Sequence, residues 1–414
     1  MNVLMLLFKD IHYDARVKRE AVALAEAGHQ VTIACLEEYP EDPPVLHERV
    51  ELLRLKISTK RIRRSITNSE RGSGAARHVL RIVRTPVLKL LKDILASQEY
   101  YRHVKAWLRQ HPVDVIHCHD LNTLPAGTRL ARRFGTRLVY DSHELFNEMA
   151  GKNALERRVG YWVENRLIRH IDHLIVVNPF VKKEFFKRYG PLPTTVIQNT
   201  PVLPDFGQQR PDDVADLRCK YGLCDDDVLL IYQGGLNPER GLEECIQAVA
   251  LLPERFKLVL MGDGRLKENL QAMVDELGLN KRVFFHEPVP SESLLWYTKQ
   301  ADVGLVIYKN TCLNNYYSTP NKIFEYLLAG IPTVASDHPG KRYVVEGEGT
   351  GICVAETPEA IKAGILEVIN RLDAFKQNCV VKRTQFCWQK ERDKLVKMYQ
   401  QLGAPEHEQQ AAAR

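Results

Sequence analysis

Apolar strand-like runs alternate with helical segments along most of this chain, and this alternation limits how it can fold. The runs NVLMLLF, QVTIACL and DVIHCHD are separated by segments with helical spacing of apolar residues, as in residues 15–28. Strands that are joined through helices run parallel, and helices then cover both faces of the sheet. The pattern therefore predicts a doubly wound α/β architecture.

The alternation stops once and then restarts, which indicates two domains. The stretch TPVLPDFGQQRPDD is typical of a linker, and the strand-like runs VLLIYQG, KLVLMG, RVFFHE and ADVGLVIY follow it. A chain of 414 residues is long enough for two separate cores. We expect two Rossmann-like domains, a C-terminal helix and a disordered tail, over residues 1–203, 214–378, 379–403 and 404–414.

Cysteine usage and hydropathy predict a cytoplasmic protein. The nine cysteines are scattered and include no C-x-x-C pair, which favours reduced thiols over disulfides or zinc. The N-terminal apolar run ends at Lys9 and Asp10, and no run approaches the ~20 apolar residues that span a bilayer. We expect neither a signal peptide nor a transmembrane helix.

Positive charge is concentrated in residues 49–92, which contain thirteen Lys or Arg and two acids; the segment carries +11 and the remainder −5. Residues 77–95 interleave these cations with apolar side chains, as in a surface-bound amphipathic segment. We expect peripheral binding to the anionic inner face of the cell membrane. The alternative is a helix that packs on the domain with a solvated basic face. No nucleic-acid-binding motif accompanies the charge, so we expect no nucleic acid partner.

The stretch YYSTPNKIFEYLLAGIPTVAS, residues 316–336, contains a cation where a helix disfavours one. Thr319 is a plausible N-cap, Pro320 fits the first helical position and Gly330 ends the helix. Lys322 would then cost roughly 0.3–1 kcal/mol in the first turn, unless an anion such as phosphate shares the site. The alternative is an ordinary ion pair with Glu325, three residues further along.

The chain resembles the family-four retaining glycosyltransferases of the GT-B fold over nearly its whole length. The segments that carry the resemblance are PNKIFEYLLAGIPTVAS, YQGGLNPERGLEECIQAV, LMGDG and YDSHELF. The resemblance implies two Rossmann-like domains that face each other across a cleft. The C-terminal domain would bind a nucleotide sugar and the N-terminal domain the acceptor, and the last helix would cross back to the first domain.

Residue by residue, the resemblance implies a donor site in the second domain. Lys322 and the helix N-terminus would hold the diphosphate, Glu325 would bind the ribose hydroxyls, and Arg240 matches a second phosphate-binding cation. The family often has an arginine five residues before this position, where the present chain has Gly235. Arg240 and Lys322 would then neutralise the diphosphate together with backbone N–H groups near Gly235.

The sequence departs from the family at the sugar. The common motif has two glutamates separated by seven residues, and the first would fall at Tyr317. The identity of the sugar therefore does not follow from the sequence. We assign the sugar contact to residues near this position: Asn314, Asn315, Tyr317, Thr319 and Asn321.

His143 in YDSHE matches the family's active-site histidine. It would hydrogen-bond a sugar hydroxyl and stabilise a developing oxocarbenium ion. No carboxylate nucleophile is evident, which is consistent with a front-face mechanism in which the leaving phosphate accepts the acceptor proton. The alternative is that His143 caps the following helix.

Three residues are candidates for the acceptor side: Asp14, Arg16 and Glu144. For Asp14 and Arg16, a helix cap and a solvated arginine are equally compatible with the sequence.

The run of three aspartates at 225–227 resembles a metal site, but it precedes a strand, where a turn is the simpler interpretation. Because Lys and Arg already supply positive charge, we expect no metal and no cofactor besides the donor substrate.

The leading functional hypothesis is a retaining glycosyltransferase that moves a hexosyl or N-acetylhexosaminyl group from a nucleotide-diphosphate sugar to a lipid-linked or glycan acceptor in polysaccharide or glycolipid assembly. A GT-B nucleotide-sugar epimerase and a non-catalytic GT-B scaffold are the alternatives. The donor base, the linkage and the oligomeric state are not specified by the sequence.

Overall fold

The structure, a computed structural model, describes residues 1–38, 42–58 and 86–404. These residues form two compact units, residues 1–197 together with the chain from residue 392 onward, and residues 198–391. Most of the basic segment 49–92 and nearly all of the expected tail lie outside the described residues. No described helix has the length and apolar character needed to cross a bilayer.

The first unit contains a seven-stranded parallel sheet in the order β3-β2-β1-β4-β5-β6-β7. Its strands are β1 Asn2–Leu6, β2 Gln30–Leu36, β3 Val50–Leu55, β4 Val115–His119, β5 Arg137–Ser142, β6 His173–Val176 and β7 Thr194–Val196. Its helices, numbered along the described chain, are α1 Ala15–Glu26, α2 Pro86–Leu108, α3 Leu124–Phe134, α4 Ala154–Leu167 and α5 Pro179–Tyr189.

The second unit contains a six-stranded parallel sheet in the order β10-β9-β8-β11-β12-β13. Its strands are β8 Val228–Gln233, β9 Phe256–Met261, β10 Val283–His286, β11 Val303–Val306, β12 Thr333–Ser336 and β13 Gly351–Val354. Its helices are α6 Leu217–Tyr221, α7 Leu242–Leu251, α8 Lys267–Glu276, α9 Ser291–Thr298, α10 Leu313–Tyr317, α11 Asn321–Ala329, α12 Pro339–Val345, α13 Pro358–Asn370 and α14 Leu372–Lys382. Helix α15, Trp388–Gly403, begins here and continues in the first unit.

Both faces of the second sheet are buried. Along β8, Leu230 and Tyr232 belong to one apolar cluster, and Leu229 and Ile231 belong to another. Successive side chains of a strand point to opposite faces, so a sheet that is covered on both sides needs continuous apolar strands such as VLLIY. The predicted pair of doubly wound Rossmann-like units is confirmed.

Three details differ from the sequence prediction. Residues 50–55 of the basic segment form the strand β3, which pairs with β2 from Val31↔Val50 onward. The edge strand β13 was not predicted either, because GICV is only four residues long and lies between turns. The C-terminal helix, predicted over residues 379–403, begins only at Trp388, because residues 379–382 belong to α14. Its Tyr399 is buried beside His117 in the first unit.

The loop between α7 and β9 depends on one buried arginine. The guanidinium of Arg282, which is 6% exposed, donates to the carbonyl oxygens of Val249, Leu252, Pro253 and Phe256. Helix C-terminal carbonyls lack partners within the helix, and a cation there also interacts favourably with the helix dipole.

We predict that Arg282→Met lowers the free energy of unfolding by about 1.5–3 kcal/mol, because buried carbonyl groups lose a charged donor. Chemical denaturation of the variant measures this loss. Arg255→Met, at an exposed site of the same unit, is the control and should change stability little. Equal stability of the two variants would contradict the role given to Arg282.

Candidate functional site

The strand order of the second unit creates a crevice where the chain leaves the sheet in opposite directions. Strands β8 and β11 are neighbours, whereas the chain continues from β8 to β9 on one side and from β11 to β12 on the other. Ligands of open parallel sheets bind at such switch points, beyond the carboxyl ends of the strands. Residues 234–240 follow β8 and Tyr308 follows β11, so both lie at this point.

Helix α11 brings Lys322 to the switch point. The helix begins at Asn321, with Pro320 as its N-cap and no side-chain cap. The predicted Thr319 cap is therefore wrong by one residue, because the Thr319 hydroxyl donates instead to the Gly340 carbonyl at 2.7 Å. The helix ends at Gly330 in the left-handed conformation, as predicted.

Lys322 has no acid partner among the residues that the structure describes. In the part of the chain that the structure describes, no carboxylate lies within 4.0 Å of its ammonium, so the alternative of an ion pair with Glu325 is wrong. The Lys322 Nζ atom lies 5.2 Å from the ring centre of Tyr232. Burial opposes the charge, but the oxygens of Tyr308, Tyr232 and Glu325 together raise the pKa of Lys322 above its ordinary value. The group is thus a cation at neutral pH.

A glycine makes room for this ammonium. Gly234 follows β8 with φ +114°, and a Cβ atom on it would lie 2.8 Å from the Lys322 Nζ atom. A larger residue would therefore be strained and would also displace the lysine. The adjacent Gly235, a predicted diphosphate contact, accepts a hydrogen bond from the Tyr232 hydroxyl at 2.9 Å.

Arg240 is the second cation of the switch point without an acid partner among the described residues. Its guanidinium lies 4.1 Å from the ring centre of Tyr308. The preceding Glu239 has φ +69°, an unusual conformation for a non-glycine residue that costs about 1–3 kcal/mol. The Asn315 amide holds the Glu239 carboxylate at 3.1 Å, and Lys309 N–H donates to its carbonyl at 3.0 Å. This support fixes the loop that carries Arg240.

Glu325 is oriented by two residues that the sequence analysis missed. Its Oε2 atom accepts a hydrogen bond from Gln233 Nε2 at 2.6 Å, and Gln233 Oε1 accepts one from Thr298 at 2.7 Å. The only signal in the sequence was a polar residue at the end of the apolar strand VLLIYQ. The remaining lone pairs of the carboxylate can accept two hydroxyl donors, as a ribose diol requires.

The predicted sugar contacts are not equivalent in the structure. Asn315 is 5% exposed, and its amide also donates to the Lys309 carbonyl at 3.2 Å. This amide is committed to the protein, which argues against a direct sugar contact. Tyr317 packs on Tyr316, and Asn321 is exposed at the start of α11. For Tyr317, Thr319 and Asn321 the assignment stays a prediction.

The first unit places a separate cluster at the carboxyl ends of β4 and β5. Arg16 of α1 is 3% exposed; its Nε and Nη2 atoms donate to the two oxygens of Asp141, each at 3.0 Å, and its Nη1 atom donates to the Ile197 carbonyl. Because Arg16 is buried, it neither contacts an acceptor nor lies in solvent, which were the two interpretations of its sequence position. Arg16 instead fixes Asp141.

His143 lies between two aspartates. Its Nε2 atom is 3.0 Å from Asp141 Oδ2 and 3.1 Å from His119 Nδ1, and its Nδ1 atom is 3.6 Å from Asp120 Oδ2. Burial opposes protonation, but Asp141 and Asp120 raise the pKa of His143 to about 9. The 3-10 helix that follows at Phe146–Glu148 has no side-chain cap, so the alternative of a capping histidine is wrong.

This charge state favours one part of the predicted role of His143, hydrogen bonding, over the other, stabilisation of an oxocarbenium ion, and both stay predictions. A histidine that is protonated at neutral pH donates hydrogen bonds and repels a developing oxocarbenium ion. His143 is therefore suited to donating to a hydroxyl or a phosphate oxygen. The Nδ1 atom of His143 lies farther from its aspartate than the Nε2 atom does, so Nδ1 is the nitrogen better placed to donate to a ligand.

Four buried side chains bring potential metal ligands within 4.8 Å of one another: Glu20, His117, His119 and Asp141. The guanidinium of Arg16, however, lies 2.9 Å from Glu20 and 3.0 Å from Asp141, where it supplies positive charge. Burial raises the pKa of Glu20 to about 8, despite the opposing charge of Arg16. The cluster therefore fits a metal ion poorly.

The aspartates at 225–227 form the predicted turn before β8.

The other acceptor candidates occupy different environments. The Asp14 side chain accepts from the Val17 amide at 3.0 Å, so it caps α1, and it pairs with Lys9 at 2.7 Å. Burial opposes this charge, but His143 and Lys9 lower the pKa of Asp14 to about 2. Glu144 is exposed next to His143.

Comparison with known proteins identifies two family domains. Residues 13–200 match the glycosyl transferase 4-like domain, and residues 213–379 match glycosyl transferases group 1. EpsD of Bacillus subtilis, named only as a glycosyltransferase, is 27% identical over 61% of this chain; the chain spans 66% of EpsD's own length. A GDP-mannose-dependent phosphatidylinositol dimannoside mannosyltransferase of Mycobacterium tuberculosis is 24% identical over 67% of this chain and 71% of its own.

Solved structures show the same fold at low identity. Sucrose-phosphate synthase from Thermosynechococcus elongatus has a TM-score of 0.74 at 20% identity, over 97% of this chain and 99% of that one. Anabaena HepE in complex with UDP-glucose has a TM-score of 0.68 at 17% identity, over 97% and 99%. Because the two family domains together cover most of the chain, the protein belongs to the family-four type of glycosyltransferases with the GT-B fold.

Proposed function

We propose that this glycosyltransferase is a retaining enzyme that transfers a hexosyl or N-acetylhexosaminyl group from a nucleotide-diphosphate sugar to a hydroxyl group of a lipid-linked or glycan acceptor. The observation that carries the proposal is a pair of cations at the β8–β11 switch point, Lys322 and Arg240, that have no acid partner within the described ranges of the chain. A half-buried pair of like charges repels, and it becomes favourable when a diphosphate supplies the negative charge.

The relatives support this class of donor. One curated relative is named as GDP-mannose dependent, and the HepE structure contains UDP-glucose. Both donors share the ribose diphosphate and differ in base and sugar. The features assigned to the shared part are Lys322, Arg240 and Glu325.

In the proposed reaction, the acceptor hydroxyl attacks the anomeric carbon while the bond from this carbon to the diphosphate oxygen breaks. Lys322 and Arg240 stabilise the negative charge that develops on the leaving diphosphate. Because both cations are in place before the reaction, this stabilisation lowers the activation barrier without a cost of reorganisation. The proton of the acceptor hydroxyl passes to the leaving phosphate. Protonated His143 donates a hydrogen bond that becomes stronger as charge develops on its acceptor oxygen.

Membrane association is part of the proposal, since a lipid-linked acceptor is reached at a membrane surface. The described start of α2 keeps Leu91, Ile94 and Leu95 about half exposed, at 50%, 48% and 59%. On α4, Trp162 is 63% exposed and Arg166 lies over its ring at 5.6 Å. Tryptophan and arginine side chains of this kind suit an anionic bilayer interface.

We predict that Lys322→Ala and Arg240→Ala each weaken donor binding at least tenfold, because a charge-assisted bond contributes about 1.5–3 kcal/mol. Isothermal titration with UDP and GDP measures the effect. Lys281→Ala, which removes an exposed cation of the same unit, is the control. Wild-type affinity in both site variants would contradict the diphosphate assignment.

Glu325→Ala separates ribose binding from phosphate binding. We predict that it weakens the binding of nucleoside diphosphates and leaves the binding of inorganic pyrophosphate unchanged, because pyrophosphate has no hydroxyl groups for the carboxylate. The same titration with pyrophosphate checks this. An equal loss for both ligands would show that Glu325 acts on the phosphate site or on folding.

We predict that His143→Ala lowers turnover at saturating donor by about 10²–10³-fold, as for a positioned electrostatic group. Donor affinity should change far less, because the assigned nucleotide contacts belong to the second unit. Nucleotide release with and without acceptor measures turnover and also distinguishes a transferase from an epimerase or a scaffold. Normal turnover in a folded variant would remove His143 from the reaction.

We predict that the protein binds anionic vesicles at low salt and that binding falls steeply with salt, since each basic residue near such a surface contributes about 1 kcal/mol. Changing Arg81, Arg84 and Lys89 to glutamate should abolish sedimentation with the vesicles. The matched control changes the exposed Arg255, Lys281 and Arg371 of the second unit to glutamate. If both triple variants behave alike, residues 49–92 are only a solvated face.

A further inference from the structure

Lys341 is a lysine whose side chain is completely buried, at 0% exposure, near the start of α12. Full burial of an ammonium group is costly unless hydrogen bonds and a counter-charge compensate for the lost water. The proposed reaction, as derived from Lys322, Arg240 and Glu325, gives this group no role.

The hydrogen bonds of Lys341 are satisfied, but only by neutral oxygens. Its Nζ atom donates to the Asn315 carbonyl at 2.5 Å, to the Ser318 carbonyl at 3.3 Å and to the Ser318 hydroxyl at 3.4 Å. Among the residues that the structure describes, no carboxylate lies within 4.0 Å of this nitrogen. The ammonium thus has three acceptors and no counter-ion in contact.

Lys341 also shares an aromatic ring with Arg240. The Lys341 Nζ atom lies 5.1 Å from the ring centre of Tyr308, and the Arg240 guanidinium lies 4.1 Å from it. Tyr308 follows β11 at the switch point. The buried ammonium therefore belongs to the same cationic region as the proposed diphosphate contacts.

Residues 315–318, the C-terminal end of α10 that Lys341 holds, are packed tightly on α12. A Cβ atom on Gly340 would lie 2.2 Å from the Tyr317 carbonyl oxygen, and Thr319 donates to the Gly340 carbonyl. The end of α10 contains Asn315, whose amide holds Glu239, the residue before Arg240. Hydrogen bonds thus connect Lys341 through Asn315 and Glu239 to the loop of Arg240.

We propose that Lys341 is a third cation of the donor site, which fixes residues 315–318 at the C-terminal end of α10 and receives its counter-charge from the bound diphosphate, so that donor binding is linked to proton uptake. This inference rests on the proposed function, because it takes the diphosphate to occupy the switch point. It makes Lys341 a positioning residue whose charge state depends on the ligand.

The charges around Lys341 are consistent with this linkage. Burial, together with Arg240, lowers the pKa of Lys341 to about 7 in the free protein. Burial, and Lys341 itself, lower the pKa of His338, so this histidine stays neutral above pH 7. The other ionisable groups that act on the lysine are Glu356, Cys312 and Cys353, and the buried Cys353 thiol has its pKa raised to about 12.

The sign of the effect follows from these charges. In the free protein the ammonium loses its proton as pH rises through about 7, whereas a bound diphosphate stabilises the charged form and raises its pKa. Binding above pH 7 then takes up a proton, and affinity falls by up to about tenfold per unit of pH. The phosphate groups of the nucleotide, with a second pKa near 6, have the opposite effect, but mainly below pH 7.

The test is isothermal titration of the full chain with UDP and GDP from pH 7 to 9, in buffers of different ionisation enthalpy. We expect proton uptake by the wild type, and weaker, pH-independent binding by Lys341→Met. Lys341→Met also leaves the Asn315 and Ser318 carbonyls without this donor, so we expect the variant to melt at a lower temperature, and affinity is measured where both proteins are folded. A purely structural lysine would give the same loss of stability with unchanged affinity and unchanged pH dependence of binding.

Two results would overturn the inference: absence of proton uptake by the wild type, or wild-type affinity and pH dependence in Lys341→Met. The wild-type measurement does not depend on the folding of any variant. Failure of the proposed function itself would look different, because Lys322→Ala and Arg240→Ala would then also bind UDP and GDP as the wild type does.

Discussion

The uncompensated positive charge at the β8–β11 switch point is the constraint on which the second unit depends. Lys322 and Arg240 have no acid partner among the described residues, although both are partly buried. The surrounding residues maintain this arrangement rather than neutralise it. Gly234 leaves space for the lysine, and Gln233 holds the Glu325 carboxylate in a separate hydrogen bond. The strained backbone of Glu239 positions Arg240.

The first unit has the opposite electrostatic character. There the buried charges around His143 are paired: Arg16 binds Asp141 through two hydrogen bonds, and Asp141 and Asp120 keep His143 protonated. Burial would raise the pKa of Asp141, but Arg16 and His143 hold it well below its usual value. Such a network keeps the imidazolium in one orientation before a ligand arrives, which is the condition for electrostatic preorganisation.

The fold was predicted well from the sequence, because continuous apolar strands such as VLLIYQ are typical of parallel sheets that are buried on both faces. The sequence also singled out Lys322, since a lysine in the first helical turn breaks a local rule, and the role of this lysine as an anion ligand stays a prediction. It failed where a residue's role depends on distant partners. Arg16 meets Asp141 across 125 residues, and Lys341 meets the carbonyl of Asn315 across 26. Gln233 and Thr298 were missed for the same reason, because their hydrogen bonds join different elements.

The short strand β3 shows a related limit. It is an edge strand of the sheet and contains the charged residues Glu51 and Arg54. Edge strands often carry charged side chains, and these charges hid the strand pattern, so the sequence analysis predicted only a basic segment here. The charge of Asp120 and Asp141 likewise had no visible relation to His143 in sequence.

The front-face role of the leaving phosphate remains a proposal, and it requires the diphosphate to lie at the cations of the second unit.

The most direct test of this claim is a crystal structure of the protein with a bound nucleoside diphosphate. We predict that phosphate oxygens lie within hydrogen-bond distance of Lys322 Nζ and of the Arg240 guanidinium, and that both ribose hydroxyls donate to Glu325. A nucleotide bound elsewhere, with Lys322 and Arg240 still without an anion, would contradict the account.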